Sequence, residues 1–170
     1  MKGIIESLRE EHDEIEKFIE QLRTKCIAFM EYNEVNLQDF KDAVNFIRTY
    51  ADLRHHQKEE KILFQAMLDN LGQIAVNLIQ HGMLVEHDLA RLHVMELEKA
   101  IEAYEKEATP ENKIDIISNA MGYYYLLKRH VAKENEVIYP YAQKSLSAEV
   151  MKQLDDAVAP YMESISEENE

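Results

Sequence analysis

Apolar residues recur along almost the whole chain at intervals of three, four or seven. Ile4, Leu8, Ile15, Ile19, Leu22 and Phe29 are spaced this way, as on one face of a helix with 3.6 residues per turn. The spacing predicts a first helix over about residues 3 to 31, followed by a turn at Tyr32 to Asn36. A second helix carries Phe40, Val44, Ile47, Ala51, Ile62 and Leu68 and ends at Asp69-Asn70-Leu71-Gly72. Gly72 suits the left-handed conformation that follows many helix ends. A third helix is expected over about residues 74 to 107, with Gly82 inside it as a kink or a close contact. Thr109-Pro110-Glu111 reads as a helix start, with Thr as N-cap, Pro at the first helical position and an acid in the first turn. The fourth helix is expected to run to about Tyr139, where Pro140 follows. Ser147 caps a short fifth helix through about Val158, and Ser164 to Glu170 form an acidic, fraying tail.

Long helices joined by short turns must lie antiparallel to their neighbours. The pattern therefore predicts an all-α, up-down-up-down four-helix bundle over residues 1–145, with the short helix and tail over 146–170. Composition agrees: among 170 residues only 4 are Gly and 3 are Pro, too few to punctuate many strands and turns. The net charge of −14 repels phosphate backbones and anionic lipid, so neither nucleic acid nor membrane is expected as a partner. Cys26 is the single cysteine, which rules out an internal disulfide and a cysteine-based zinc site. The N-terminus lacks a signal-like apolar run, and no apolar stretch is long enough to cross a bilayer. A cytoplasmic protein, monomeric or weakly self-associating, is the expectation.

The histidines break this plain picture. Arg54-His55-Gln57-Lys58-Glu59, followed by Ile62-Leu63-Phe64, reappears as Arg129-His130-Ala132-Lys133-Glu134, followed by Val137-Ile138-Tyr139. The offset is 75 residues, and Glu11-His12-Asp13 returns as Glu86-His87-Asp88 at the same offset. Two motifs sharing one offset point to a duplicated helical hairpin. His55 and Glu59 are four apart and share a helix face, as do His130 and Glu134. Packing the two hairpins about a pseudo-twofold axis brings these pairs together in the core, with His12 and His87 entering from the other two helices.

Four imidazoles and two carboxylates would be costly to bury bare. A pair of divalent cations removes that cost, with Glu59 and Glu134 bridging and each ion taking two imidazoles. Nitrogen and oxygen donors without thiolate suit iron or manganese, and zinc would also bind. The candidate ligands are thus His12, His55, Glu59, His87, His130 and Glu134. His56 and Glu60 repeat the spacing one register on, but Val131 and Asn135 stand at their places in the other copy. They are expected beside the site with Glu86, and Tyr123, seven residues before His130, shares the face of that ligand. Glu11 and Asp88 are weaker candidates, since adjacent helix residues point apart. His81 and His93 lie six positions from His87 and are expected to face elsewhere.

These segments resemble the hemerythrin-like, HHE cation-binding domains. The resemblance runs over roughly residues 5 to 145 and rests on His55 through Phe64, Glu86-His87-Asp88, and His130 through Pro140. It implies a non-heme di-iron centre, oxo- or hydroxo-bridged, that binds or reacts with O2, NO or peroxide in sensing or stress defence. An enzyme-like role in NO or peroxide detoxification, or in iron–sulfur cluster repair by iron donation, is the alternative, and a redox partner would serve either. Two departures stand out. Oxygen-carrying hemerythrins place a second histidine four residues away on the third helix, where this chain has Arg91 and Met83. Cluster-repair relatives carry paired cysteines in an N-terminal segment, and this sequence has Cys26 alone.

Overall fold

A computed structural model describes residues 2–33 and 35–167. Among them the chain forms five helices and no strand. Helix α1 is Ile4–Tyr32, α2 spans 37–70, α3 spans 72–106, α4 spans 110–145, and α5 is Ala148–Glu167. α1 packs along α4, α4 along α3, α3 along α2, and α2 back against α1, closing a four-helix bundle. α5 lies across one end, against α1 and α2.

Local chemistry sets the helix ends. Asn33 leaves α1 in the left-handed conformation at φ 55, and Asn36 caps α2 by accepting from the Gln38 amide. Gly72 holds φ 64 in the tight link between α2 and α3, where any side chain would be strained. The Thr109 hydroxyl accepts from the Asn112 amide, and the Ser147 hydroxyl from the Val150 amide at 3.2 Å, as the sequence predicts. Glu34 in the first turn and residues 168–170 of the acidic tail lie outside the described residues.

Three of the long helices are not uniform α-helix. Ile47–His56 and Glu59–Phe64 in α2, Ile79–Met83 in α3 and Glu134–Ile138 in α4 are π-helical. Their ends are marked by amides bonded five residues back: Gln57 to Asp52, Gln65 to Glu60, Leu84 to Ile79 and Tyr139 to Glu134. Such stretches widen the coil and often mark functional positions.

They also explain two departures from expectation. α4 does not stop near Tyr139 but continues to Ser145. The π turn ends there, so Pro140 falls in the first turn of the resumed α-helix, where its missing N–H is not required. Gly82 marks a π turn rather than a close approach, since a Cβ there would meet only the Asn77 carbonyl at an ordinary 3.6 Å. The close approach is at Gly122, where a Cβ would fall 2.4 Å from the His93 ring.

The core divides into two apolar clusters. One joins Ile15 to Phe29, Phe40 to Ala51, Ala90 to Ile101 and Ile116 to Val131. The other joins Ile4 to Leu8, Ile62 to Met67, Ala75 to Met83, Ile138 to Leu146, and Leu154 and Val158 of α5. α5 runs nine residues past Val158 because it still has a face to bury: Ile165 is buried and the Tyr161 hydroxyl donates to the Leu53 carbonyl. Residues 164–167 are accordingly helical rather than part of a frayed tail. A carboxylate oxygen of Asp155 accepts the Ile4 amide at 2.7 Å, so α5 caps the free N-terminus of α1. A Cβ on Gly3 would sit 2.7 Å from that oxygen, so the cap needs glycine there.

Replacing Asp155 by Ala leaves that amide unsatisfied and should cost about 1 kcal/mol. Thermal unfolding of the variant should show a midpoint about 2–4 °C lower. An unchanged midpoint would mean that α5 does not help to hold the start of α1.

Candidate metal centre

Between the two apolar clusters every long helix presents polar side chains to the core. α1 gives Glu11 and His12, α2 gives His55, His56, Lys58 and Glu59, α3 gives His87, and α4 gives His130 and Glu134. All six predicted ligands are 1 % exposed or less, and they meet in one layer. Glu134 lies with one oxygen 3.0 Å from His12 Nε2 and the other 2.9 Å from His130 Nε2. Glu59 Oε2 is 3.4 Å from His87 Nε2 and 3.9 Å from His55 Nε2. His81 and His93 stand away from the layer, exposed and half-buried respectively.

Each imidazole is oriented from behind by an oxygen on its Nδ1. Asn135 Oδ1 lies 3.0 Å from His12, Glu11 3.0 Å from His55, Glu60 2.7 Å from His87 and Glu86 2.8 Å from His130. An ionised carboxylate or an amide oxygen can only accept, so Nδ1 carries the hydrogen and Nε2 turns a lone pair inward. Glu60 and Glu86 thus stand beside the site as expected. Glu11 matters more than its sequence neighbourhood suggests. It and Glu86 do not support the histidine next to them but the one on the adjoining helix, which a long side chain reaches across the interface.

The repeat extends to these supports. Lys58 is buried and donates to Glu11 at 2.5 Å and to the Ser7 hydroxyl, and Lys133 pairs with Glu86 in the same way. Tyr139 stacks on His12 and Phe64 on His87. The copies differ in one hydroxyl: that of Tyr139 donates to Glu59 Oε1 at 2.6 Å and lies 3.2 Å from His12 Nε2. Tyr139, Lys58 and Asn135 were not singled out from sequence. The 75-residue offset could have found all three, since it carries Lys58 onto Lys133, Phe64 onto Tyr139 and Glu60 onto Asn135.

His56 and Tyr123 are buried too. His56 stacks on His87 with ring centroids 3.9 Å apart, although adjacent helix residues ordinarily point apart. The π-helical stretch that ends at His56 lets both His55 and His56 face inward. His56 and Tyr123 line a cavity of about 260 Å3 with Ile47, Asp52, Val94 and Arg91. The Tyr123 hydroxyl is buried without a hydrogen-bond partner, and burial holds its pKa well above the ordinary value.

The inner atoms are poorly served by one another. His87 Nε2 and His130 Nε2 face each other at 3.1 Å, two lone pairs in repulsion unless a proton or a cation lies between them. His55 Nε2, His56 Nε2, Glu59 Oε2 and both Glu134 oxygens are buried without an aligned hydrogen bond. Without a cation the layer must hold protons instead. Burial opposes a charge on His130, but Glu134 and Glu86 override it and hold the imidazole up at about 9. Burial opposes a charge on His87 too, but the carboxylates of Glu134, Glu59 and Glu60 around it hold the imidazole well above its ordinary value. Burial, with the His12 and His56 charges, pushes His55 well down. Burial and the Glu134 charge raise Glu59, whereas His130, His12 and His87 hold Glu134 well down despite burial. The donor chemistry therefore fits a cation. Three sets of donors converge with their atoms within 4.8 Å: His12, His55 and Glu134; Glu59, His87, His130 and Glu134; and His56, His87 and His130.

A family model described as hemerythrin HHE cation binding domain matches residues 3–142. The chain belongs to the hemerythrin HHE cation-binding family. A comparison with curated proteins and one with solved structures each gave no significant match. In this HHE domain the donors are imidazole and carboxylate only. Cys26 is buried in the apolar cluster remote from α5, and burial pushes its thiol up to about 11.

The protons give the metal-free domain a defined pH response. His130 rises from an ordinary 6.5 to about 9 on folding, so its contribution is complete below 6.5 and is lost as pH climbs toward about 9. His56 falls from 6.5 to about 3, chiefly through burial, so stability is lost as pH drops from 6.5 toward about 3. These two groups place the melting maximum of chelator-treated protein near pH 6.5. Calorimetry across that range checks it, and bound metal should flatten the alkaline side by replacing the protons.

Proposed function

We propose that this protein is a non-heme di-iron protein that binds or reacts with a small oxidant, O2, NO or peroxide, in sensing or stress defence. The observation that carries the reading is the inward set of lone pairs. Four Nε2 atoms, each fixed by an oxygen on Nδ1, face two buried carboxylates, of which Glu59 Oε2 and both Glu134 oxygens lack aligned hydrogen bonds. Glu59 and Glu134 come from opposite copies of the repeat and suit the role of bridges between two ions. His12 and His55 would serve one ion, His87 and His130 the other. Nitrogen and oxygen donors without thiolate favour iron, with manganese or zinc as competitors. Bound iron supplies one-electron chemistry and Lewis acidity.

The chain's own residues would shape what happens there. The supporting ring of Asn135, Glu11, Glu60 and Glu86 keeps the imidazoles in one tautomer. The apolar clusters on either side exclude bulk water. The cavity beside His56 and Tyr123 would give a small oxidant room next to the layer. A redox partner and a cytoplasmic setting belong to the same reading.

One observation favours turnover, as in NO or peroxide reduction, over simple binding. The Tyr139 hydroxyl is buried against Glu59 and keeps its proton, because burial and the Glu59 and Glu134 charges hold its pKa well above the ordinary value. It is a proton source at the edge of the layer. Replacing Tyr139 by Phe restores the Phe64 arrangement on both sides. Stopped-flow mixing of the reduced protein with peroxide should then show a slower decay, at least tenfold, with iron content unchanged. An equal rate would favour the binding reading.

Metal analysis of anaerobically purified protein should give about two irons per chain, the content of di-iron bundles. Glu59→Ala and Glu134→Ala should each hold less than half the wild-type iron and melt at lower temperature, because binding is coupled to folding. Unchanged iron in both variants would end the bridging role.

A further inference from the structure

His56 is the buried group that the repeat leaves unexplained. Its place in the other copy is held by Val131, which packs into the apolar core. His56 is nevertheless 2 % exposed and its Nε2 has no hydrogen-bond partner. Its Nδ1 lies 3.8 Å from Asp52 Oδ1, too long for a hydrogen bond. A structural core histidine would have at least one ring nitrogen satisfied.

Its surroundings are those of the four predicted ligands. The ring lies nearly parallel to His87 and edge-on to His130. One nitrogen each from His56, His87 and His130 lies within 4.8 Å of the other two. A carboxylate again stands on the Nδ1 side, as it does behind His55, His87 and His130. That carboxylate, Asp52, is anchored by Arg91 at 2.8 Å, and the same guanidinium holds Glu60, the support of His87, at 2.7 Å. One arginine therefore fixes the outer oxygens of two neighbouring imidazoles. In the first copy the place of Arg91 is taken by Glu16, and the place of Asp52 in the second copy by Leu127, so this device exists on one side only.

We infer that His56 is a fifth imidazole ligand of the centre, so that the two ions are held unequally. His56, His87 and His130 would serve one, and His12 and His55 the other. The inference rests on the metal-binding reading above and adds to it a ligand that the repeat does not carry. The local backbone makes it possible, because the π-helical stretch Ile47–His56 turns two consecutive histidines to the same interior. Arg91 then has a use: through Asp52 it supports the extra imidazole from α2.

The full chain labelled with 15N in its 7 histidines tests this without iron or turnover. Zinc is added to metal-free protein and the ring nitrogens are followed by NMR. The Nε2 signals of His12, His55, His56, His87 and His130 should all move to metal-bound positions, with His81 and His93 unmoved. If the other four move and His56 stays with His81 and His93, the inference is overturned while the metal centre stands. If none moves, the metal centre itself falls and this inference with it. His56→Val, which copies Val131, gives a second readout. Competition with a chromophoric chelator should show one zinc held at least tenfold more weakly and the other within threefold of wild type. Unchanged affinity for both ions would equally overturn it.

Discussion

Everything in this bundle is arranged around two carboxylates, Glu59 and Glu134, buried with four imidazoles between two apolar clusters. In such a place an isolated charge costs several kcal/mol even after relaxation. The like charges of the carboxylates resist each other, and the facing lone pairs of His87 and His130 do the same. Protons or cations must enter for the helices to close. The layer is therefore the weak plane of the metal-free protein and, once a cation is held there, the feature that ties all four long helices together.

The supports show how a flexible set of side chains is made rigid. Each of the four inward histidines is held on Nδ1 by an oxygen from another helix, and several of those oxygens are held in turn by Arg54, Lys58, Arg91 or Lys133. Arg54, Arg91 and Lys133 are part-exposed, whereas Lys58 is buried with the inner groups. The many acidic residues of the chain are thus used in two ways, as solvent-facing charge and as a ring that orients imidazoles.

The repeat makes the converging side chains symmetric, but their surroundings are unequal. Glu60 faces His87 where Asn135 faces His12, Phe64 faces His87 where Tyr139 faces His12, and His56 stands where the other copy has Val131. Two ions bound in such a setting would differ in charge, basicity and access. A hydroxyl on one side and an extra imidazole with its cavity on the other give each half a separate chemical character.

Much of this was legible in the order of residues. Helical spacing, the Thr109-Pro110 start, the Ser147 cap and the left-handed Gly72 follow from local rules, because each depends on neighbours within a turn or two. The six converging residues followed from a repeat, since a duplicated hairpin can close its core only by bringing like positions together. What the tertiary structure decided depends on partners far along the chain or on a change of helix type. Sequence spacing assumes a uniform 3.6-residue turn, so it could not place His55 and His56 on one interior or carry α4 past Pro140. Nor could it assign Glu11 to His55, Tyr139 to Glu59 or Asp155 to the start of α1, because those contacts join residues between 44 and 151 positions apart. They exist only once packing has set which helices are neighbours and at what height.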